Sequence, residues 1–246
     1  MSLRMERAIL PGVRWNQEIY ATWLQSHVSE TTRWLDAGCG HRLLPPDFET
    51  LERELAVTAK IVVGLDLNVD SLRMHRTLLH RTCSSLERLP FPDRSFDLVT
   101  CNMVVEHLPD PGQTFQELGR VLRPDGVLLI HTPNVWNYAI CLARLIKKFV
   151  PKRLLVKMIT WSEERPDVDI FPTFYRANSC ASITSQLGQL GFYREKYEML
   201  VGPQPICPFF APIAFWELLL MKSTTWRALQ SFATTMLFSF RKAPAR

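Results

Sequence analysis

The sequence predicts a single α/β domain built on a mostly parallel sheet with helices on both faces, and three observations predict it. Apolar runs of strand length, Arg33 to Ala37, Ile61 to Asp66, Phe96 to Cys101 and Val127 to Thr132, alternate with segments of helical periodicity. The first run leads into Asp36-Ala37-Gly38-Cys39-Gly40 and the second ends in Asp66, a glycine turn and a strand-end acid. The 246 residues are 47% hydrophobic and 22% charged, which suits one globular core better than two.

Each element has its own signal. Residues 15–28 put Ile19, Trp23 and Leu24 on one side of a leading helix before the first strand. Pro45-Pro46 introduces a crossover helix over Phe48 to Thr58. After the second strand a helix over 68–79 is capped by Asn68 or Asp70, and a short strand follows at Arg81 to Ser84. Helix Pro111 to Val121 aligns Phe115, Leu118 and Leu122 and is stopped by Pro124-Asp125-Gly126. Beyond Thr132 come a basic amphipathic stretch, Leu142 to Lys157, and a Pro- and acid-rich loop to Thr173. Asn178 to Leu190 is helical with Gly191 as its stop, and Phe192 to Leu200 and Thr234 to Arg241 are two late strands placed to form an antiparallel edge.

Composition narrows the function classes without choosing one. A net charge of +5 and a pI near 9.0 fit an anionic partner such as nucleic acid, acidic lipid or a phosphorylated substrate. The six cysteines, at 39, 83, 101, 141, 180 and 207, have no metal-knuckle or redox spacing, so reduced, mostly buried thiols are expected. No long apolar run follows the charges of residues 1–7, which predicts no secretory signal and a cytoplasmic location. Ile206 to Met221 is apolar apart from Glu217, but its two prolines and its length argue against a bilayer span.

Gly38 and Gly40 lack Cβ, so the chain can turn sharply there and a ligand can approach the backbone. Asp66, at the tip of the next strand, is placed to accept hydrogen bonds from ribose hydroxyls. A tight strand-to-helix turn without a ligand is the other reading of the glycine pair alone.

Asp36 to Gly40, Asp66, Leu89-Pro90-Phe91-Pro92-Asp93-Arg94-Ser95-Phe96-Asp97-Leu98-Val99, Asn102 to Leu108, Arg120 to Gly126 and Thr132-Pro133-Asn134 follow one another in a particular order. In that order they resemble the class I S-adenosylmethionine-dependent methyltransferases, particularly the group containing ubiquinone- and menaquinone-pathway enzymes. The likeness covers about residues 33 to 134. It implies a Rossmann-like, seven-stranded, mostly parallel sheet with an antiparallel last strand. It also implies S-adenosylmethionine held by Asp36, Ala37, Gly38, Cys39, Gly40, Asp66, Leu67, Ser85, Leu86, Asn102 and Met103. The chain departs from the pattern at Arg42, where a third glycine is common, at Ser85, where an acid often meets the adenine, and at Asp125, where a glycine is common.

The resemblance further implies methyl transfer to a small-molecule, lipid-linked or saccharide-linked acceptor, with oxygen as nucleophile. His107 is the candidate general base, its alternative being a residue that bonds a loop or packs over the cofactor. Glu106-His107 is similar to part of a metal-ligand set in some relatives, but Met103 stands where another acid would be, and no metal is expected. Of Trp15, Asn16 and Tyr20 on the leading helix, the aromatics are read as core. One domain, 1–246, is expected, with a cofactor-binding core over about 30–134 and substrate-recognition or cap insertions over about 134–180 and 201–232. The basic stretch is either a helix on an anionic membrane surface or a cap over the site with solvated cations. Nucleic acid is disfavoured, because no Asn/Asp-Pro-Pro-aromatic motif is present and Arg94, Arg120 and Arg123 read as surface charge. A reading from another class is a catalytically silent methyltransferase-like protein that binds a partner through 134–230.

Overall fold

The computed structural model describes residues 8–11, 13–137, 140–141, 171–202, 211–226 and 228–244. The basic stretch at 142–157 and the first residues of the apolar run, 206–210, lie outside them. Seven strands form one sheet in the order β3-β2-β1-β4-β5-β7-β6. They are β1 (Arg33–Ala37), β2 (Ile61–Asp66), β3 (His80–Cys83), β4 (Phe96–Asn102), β5 (Leu122–Pro133), β6 (Phe192–Leu200) and β7 (Thr235–Lys242). The first five pair in parallel, and β7 runs antiparallel between β5 and β6. The sheet is therefore the expected one, a Rossmann-like sheet with a reversed last strand inserted beside the edge.

Among the described residues the strands are accompanied by the helices α1 (Asn16–His27), α2 (Glu49–Thr58), α3 (Val69–Met74), α4 (Pro111–Val121), α5 (Cys180–Gln189) and α6 (Ala211–Ser223). Alternation along each strand sends side chains to two cores. Leu35, Val63, Val99, Leu128 and Ile130 pack with Phe115 and Leu118 of α4 and with Ile183 and Leu187 of α5. On the opposite face Trp34, Val62, Leu98 and Leu129 pack with Ile19, Tyr20, Trp23 and Leu24 of α1 and Leu55 of α2.

Three local expectations are corrected. The helix expected over 68–79 stops at Met74, because His75 is extended and its ring nitrogen accepts from Thr77 and Leu78 N–H, while Arg81 donates to the carbonyls of Leu72 and His75. Asn68, of the two candidate caps, accepts from the N–H groups of Asp70 and Ser71. Pro124-Asp125-Gly126 does not stop α4, since β5 begins directly at Leu122. The tripeptide instead makes a bulge in β5, where Asp125 has φ +61° and the register jumps from Phe96↔Leu122 to Leu98↔Val127. The thiols are free but not mostly buried: among the described cysteines, Cys39 and Cys101 are buried, whereas Cys83 is exposed and Cys141 and Cys180 are intermediate.

Two of the arginines read as surface charge, Arg120 and Arg123, have structural work. Arg120 donates to Glu117, Asp93 and the carbonyls of Leu89 and Phe91, and Arg123 donates to Asp97 and the carbonyl of Arg94. Together they pin the 89–97 loop that feeds β4.

Candidate active site

In the strand order β3-β2-β1-β4-β5, the connections leave β1 in one direction and β4 in the other, so the carboxyl ends of these two strands flank a topological switch point. The turn after β1 lies there. Gly38 N–H and Cys39 N–H both donate to the Leu65 carbonyl, at 2.7 and 3.0 Å, and Gly40 N–H donates to Asp66 Oδ2 at 2.8 Å. With these three donors directed at β2, the N–H groups of Gly38, Cys39 and Gly40 are not left for a phosphate. What it retains are carbonyl oxygens, which suit a cation.

The two glycines do different work. Gly38 has φ +81°, and a Cβ there would come within 2.5 Å of Val104 Cγ2; Gly40 has φ +53°, and a Cβ there would meet nothing within 4 Å. Gly38 is thus required by packing, whereas the space beside Gly40 is open. Asp66 is buried and accepts from Gly40 N–H through one oxygen and from Asn68 N–H, at 2.8 Å, through the other. Each carboxylate oxygen keeps a second lone pair for a hydroxyl. Ser84 N–H donates to the Asp66 carbonyl, which brings Ser85 and Leu86 alongside, and the Ser85 hydroxyl accepts from Glu87 N–H at 3.1 Å.

On the α1 side of the sheet a polar ladder crosses the same edge. Trp34 Nε1 donates to Thr100 Oγ1 at 2.7 Å, and Thr100 donates to the carboxylate of buried Asp36. Burial is the main cause that pushes the Asp36 carboxyl up to about 7; the Thr100 hydrogen bond pulls it down in part, and the charges of Glu52 and Asp66 each add a smaller upward push. One step along, His131 lies opposite Asn102 in register. Its Nδ1 is 2.8 Å from Asn102 Oδ1 and its Nε2 is 3.1 Å from Thr235 Oγ1. Burial lowers the His131 imidazole to about 3, so the ring is neutral. Tyr20 stacks on it at 5.6 Å, with its buried hydroxyl near Thr100, Asp36 and Cys101.

Across β4, a 3-10 turn at Val105–His107 carries the other polar group. Buried Glu106 accepts from Thr132 Oγ1 at 2.9 Å, and Thr132 accepts from Asn178 Nδ2 at 2.6 Å. The Glu106 carbonyl accepts from the N–H groups of Phe174 and Tyr175, and His107 Nδ1 is 3.0 Å from the carbonyl of Pro172. A carbonyl only accepts, so Nδ1 carries the hydrogen.

Residues 35–130 match the family described as "Methyltransferase domain". The chain is 31% identical over 130 residues to the ubiquinone biosynthesis O-methyltransferase of Neisseria meningitidis, a match covering 49% of this chain and 53% of that protein. It is 39% identical over 104 residues to a probable S-adenosylmethionine-dependent methyltransferase of Mycolicibacterium smegmatis, covering 41% and 37%. The chain thus spans about half, or less, of the length of the curated relatives it matches. Over residues 35–130 the chain thus resembles the class I S-adenosylmethionine-dependent methyltransferases. In fold it is similar to an S-adenosylmethionine-dependent methyltransferase from Mesorhizobium loti, with a TM-score of 0.55 at 21% identity over 90% of this chain and 98% of that one.

The cofactor of that family is S-adenosylmethionine, and the residues of this core fit it. Open space at Gly40, a turn with carbonyls in place of free N–H groups, and an acid with spare lone pairs match a cationic amino-acid end and a ribose. The sequence-predicted residues Asp36 to Gly40, Asp66, Leu67, Ser85, Leu86, Asn102 and Met103 all lie at the carboxyl ends of β1 to β4 or just beyond them. Within that group Asp36 and the Cys39 side chain point into the core, Leu67 is exposed, and Met103 is left-handed at φ +58°. Trp15 packs against a small cluster of Leu10, Val201, Leu218 and Met221, and Tyr20 lies in the main core, as the core reading of the two aromatics expected. Sequence reasoning missed Gln17, Thr100, His131 and Thr235. His131 had a signal, a histidine at the apolar end of β5, but nothing in the sequence paired it with Asn102.

Proposed function

We propose that the protein is a methyltransferase that uses S-adenosylmethionine to methylate a small-molecule, lipid-linked or saccharide-linked acceptor at oxygen. The observation that carries this reading is the β1 turn, whose Gly38, Cys39 and Gly40 N–H groups are directed at β2 while Asp66 beside it keeps hydroxyl-accepting capacity. A phosphate-binding glycine turn has the opposite polarity. Bound there, the cofactor supplies a sulfonium-activated methyl group for in-line displacement.

The chain's own residues then have distinct tasks. The carbonyls of the turn hold the amino-acid end, Asp66 holds the ribose, and the loop at Ser85-Leu86 borders the adenine. Alignment and exclusion of water are the main demands of methyl transfer. His107, with Nδ1 fixed on Pro172, turns Nε2 to the proton of the acceptor hydroxyl and acts as general base. Oxygen as nucleophile rests on that histidine and on the likeness to the ubiquinone biosynthesis O-methyltransferase.

A single domain with a cofactor core near 30–134 and substrate-recognition segments beyond it completes the reading. A lipid-linked acceptor is supported by α6, whose outward Phe215, Trp216 and Leu220 are exposed; no helix among the described residues is long and apolar enough to cross a membrane. Flotation with anionic vesicles tests the peripheral contact: absence of salt-sensitive binding removes it.

The main test is isothermal titration with S-adenosylmethionine beside Asp66→Ala, followed by an acceptor screen with labelled methyl. Micromolar binding that collapses in the variant supports the reading, and no binding by folded wild type overturns it.

A further inference from the structure

The connection from β6 to β7, residues 201–234, starts and ends at one edge of the sheet. In the antiparallel pairings of β7, Thr235 lies opposite both Pro133 of β5 and Leu200 of β6, so the end of β6 and the beginning of β7 sit beside the carboxyl end of β5. Asn134, just beyond β5, staples the connection there: its Nδ2 donates to the carbonyls of Ser231 and Ala233 at 2.7 and 2.9 Å, and its Oδ1 accepts from the N–H of Trp136, whose ring is exposed. Phe232, between those two carbonyls, is exposed as well. Upstream of it the N–H groups of Trp226, Leu229 and Phe232 donate to the carbonyls of Ser223, Trp226 and Leu229, at 3.1, 3.0 and 3.0 Å. Turns that close three residues apart bring positions i and i+3 into line. The series therefore continues the outward stripe that Trp216 and Leu220 make one turn apart on α6. Trp216 is 66% exposed and Trp226 64%, and Leu220, Leu229 and Phe232 are exposed with them.

We propose that this stripe, from Trp216 to Phe232, docks the protein on an anionic lipid surface beside the carboxyl end of β5. Single exposed apolar side chains are ordinary. A run of them at turn spacing, with exposed Thr225, Gln230 and Ser231 between, is instead the pattern of a segment lying in a headgroup layer, where indole rings are favoured. Charge selects the partner. From Met199 to Arg246 the sequence has one acid, Glu217, and it is buried, whereas Lys222 is exposed. Arg227 follows in the sequence, and the acid-free run from Gly126 to Ser162 is basic as well. A second copy of the chain brings a like-charged face to this one, and a neutral apolar partner leaves the cations unmatched. Docking needs neither cofactor nor acceptor. One consequence does rest on the reading of a lipid-linked acceptor: such an acceptor reaches the carboxyl ends of β4 and β5 directly from the leaflet.

Flotation of the full chain with phosphatidylcholine vesicles, with and without phosphatidylglycerol, is the test. Wild type is compared with the triple variant Trp226→Ser/Leu229→Ser/Phe232→Ser, with Trp226→Ser alone and with Lys222→Glu. Melting curves check folding, and S-adenosylhomocysteine titrations read the cofactor site separately. Wild type is expected to float with the anionic vesicles and to have its tryptophan fluorescence quenched by lipid brominated in the acyl chain. The triple variant should lose at least about tenfold in vesicle affinity, because interfacial binding scales with the apolar area buried and with attraction to anionic lipid. Trp226→Ser and Lys222→Glu should each lose part of it, and S-adenosylhomocysteine affinity should stay within about twofold in every form. If the triple variant melts early, the two single variants carry the comparison. No flotation of folded wild type overturns the proposal, as does equal flotation with neutral vesicles. Binding that the triple variant keeps in full overturns it by placing the contact elsewhere, and a concentration-dependent dimer that floats with no vesicle and is abolished in the triple variant overturns it in favour of a second copy. Failure of wild type to bind S-adenosylhomocysteine strikes the cofactor reading alone, since flotation is read without cofactor.

Discussion

Asp66 and Gly40, 26 positions apart, are joined by a 2.8 Å hydrogen bond from the Gly40 N–H to Asp66 Oδ2, while Oδ1 accepts from Asn68 N–H. One buried carboxylate therefore holds the β1 turn to the start of α3, so the acid assigned to ribose also shapes the turn. Asp66→Asn keeps one acceptor but sets its amide N–H₂ against a backbone N–H. An unsatisfied buried donor costs roughly 1–3 kcal/mol, and about 2–4 °C of melting temperature per kcal/mol follows for a chain of this size. Thermal melting of Asp66→Asn should show that loss together with at least tenfold weaker cofactor binding; an unchanged melting curve would remove the structural half of the argument.

Gly38 and Gly40 separate folding from binding. Alanine at Gly38 forces its Cβ to within 2.5 Å of Val104 at a left-handed φ, so Gly38→Ala should be poorly folded. Alanine at Gly40 meets no protein atom within 4 Å, and its cost is the left-handed backbone alone, roughly 1–2 kcal/mol. Its methyl occupies the open side of the turn, however, and cofactor binding should fall far more than stability. Paired melting and titration data check this contrast, and cofactor affinity retained in Gly40→Ala would place the ligand elsewhere.

The parts legible in the sequence were those set by local chemistry. Strand runs, the glycine turn and Asp66 each announce themselves through residue type and spacing, and the order of pieces was enough to anticipate the sheet. Long-range partners left no such trace. The early end of α3 depends on Arg81 reaching back to the Leu72 and His75 carbonyls, and the bulge at Asp125 depends on register with β4. Arg120 looked like surface charge because its acceptors, Leu89, Phe91 and Asp93, lie in a separate loop. The Gln17–Asn102–His131–Thr235 chain joins four elements, and no pair of its residues is close in sequence.

The raised carboxyl of Asp36 makes stability depend on pH in a defined direction. Its folded value of about 7 lies above the ordinary aspartate value of about 3.9. Below pH 4 both states hold the proton and no cost arises. Between about pH 4 and 7 the unfolded chain ionises while the folded one does not, so stability falls by up to about 1.4 kcal/mol per pH unit, and above 7 the loss is complete. Asp36→Asn retains an acceptor for Thr100 and has no such proton, so its melting temperature relative to wild type should rise between pH 4.5 and 8. Parallel curves for the two proteins would show that Asp36 is ionised in the fold at neutral pH.

His107 tests the chemistry itself. Its Nδ1 hydrogen is held by Pro172, which orients the ring, and its Nε2 lies 3.9 Å from Glu106 Oε1. A general base contributes roughly 10²–10⁴ in rate, whereas a residue that merely anchors the 171–175 segment contributes little to the chemical step. Once an acceptor is in hand, His107→Gln should lower kcat within that range while leaving the S-adenosylhomocysteine Kd within about twofold. Loss of cofactor affinity in step with kcat would instead make His107 an anchor for the strap over the site, and unchanged turnover would take it out of the reaction altogether.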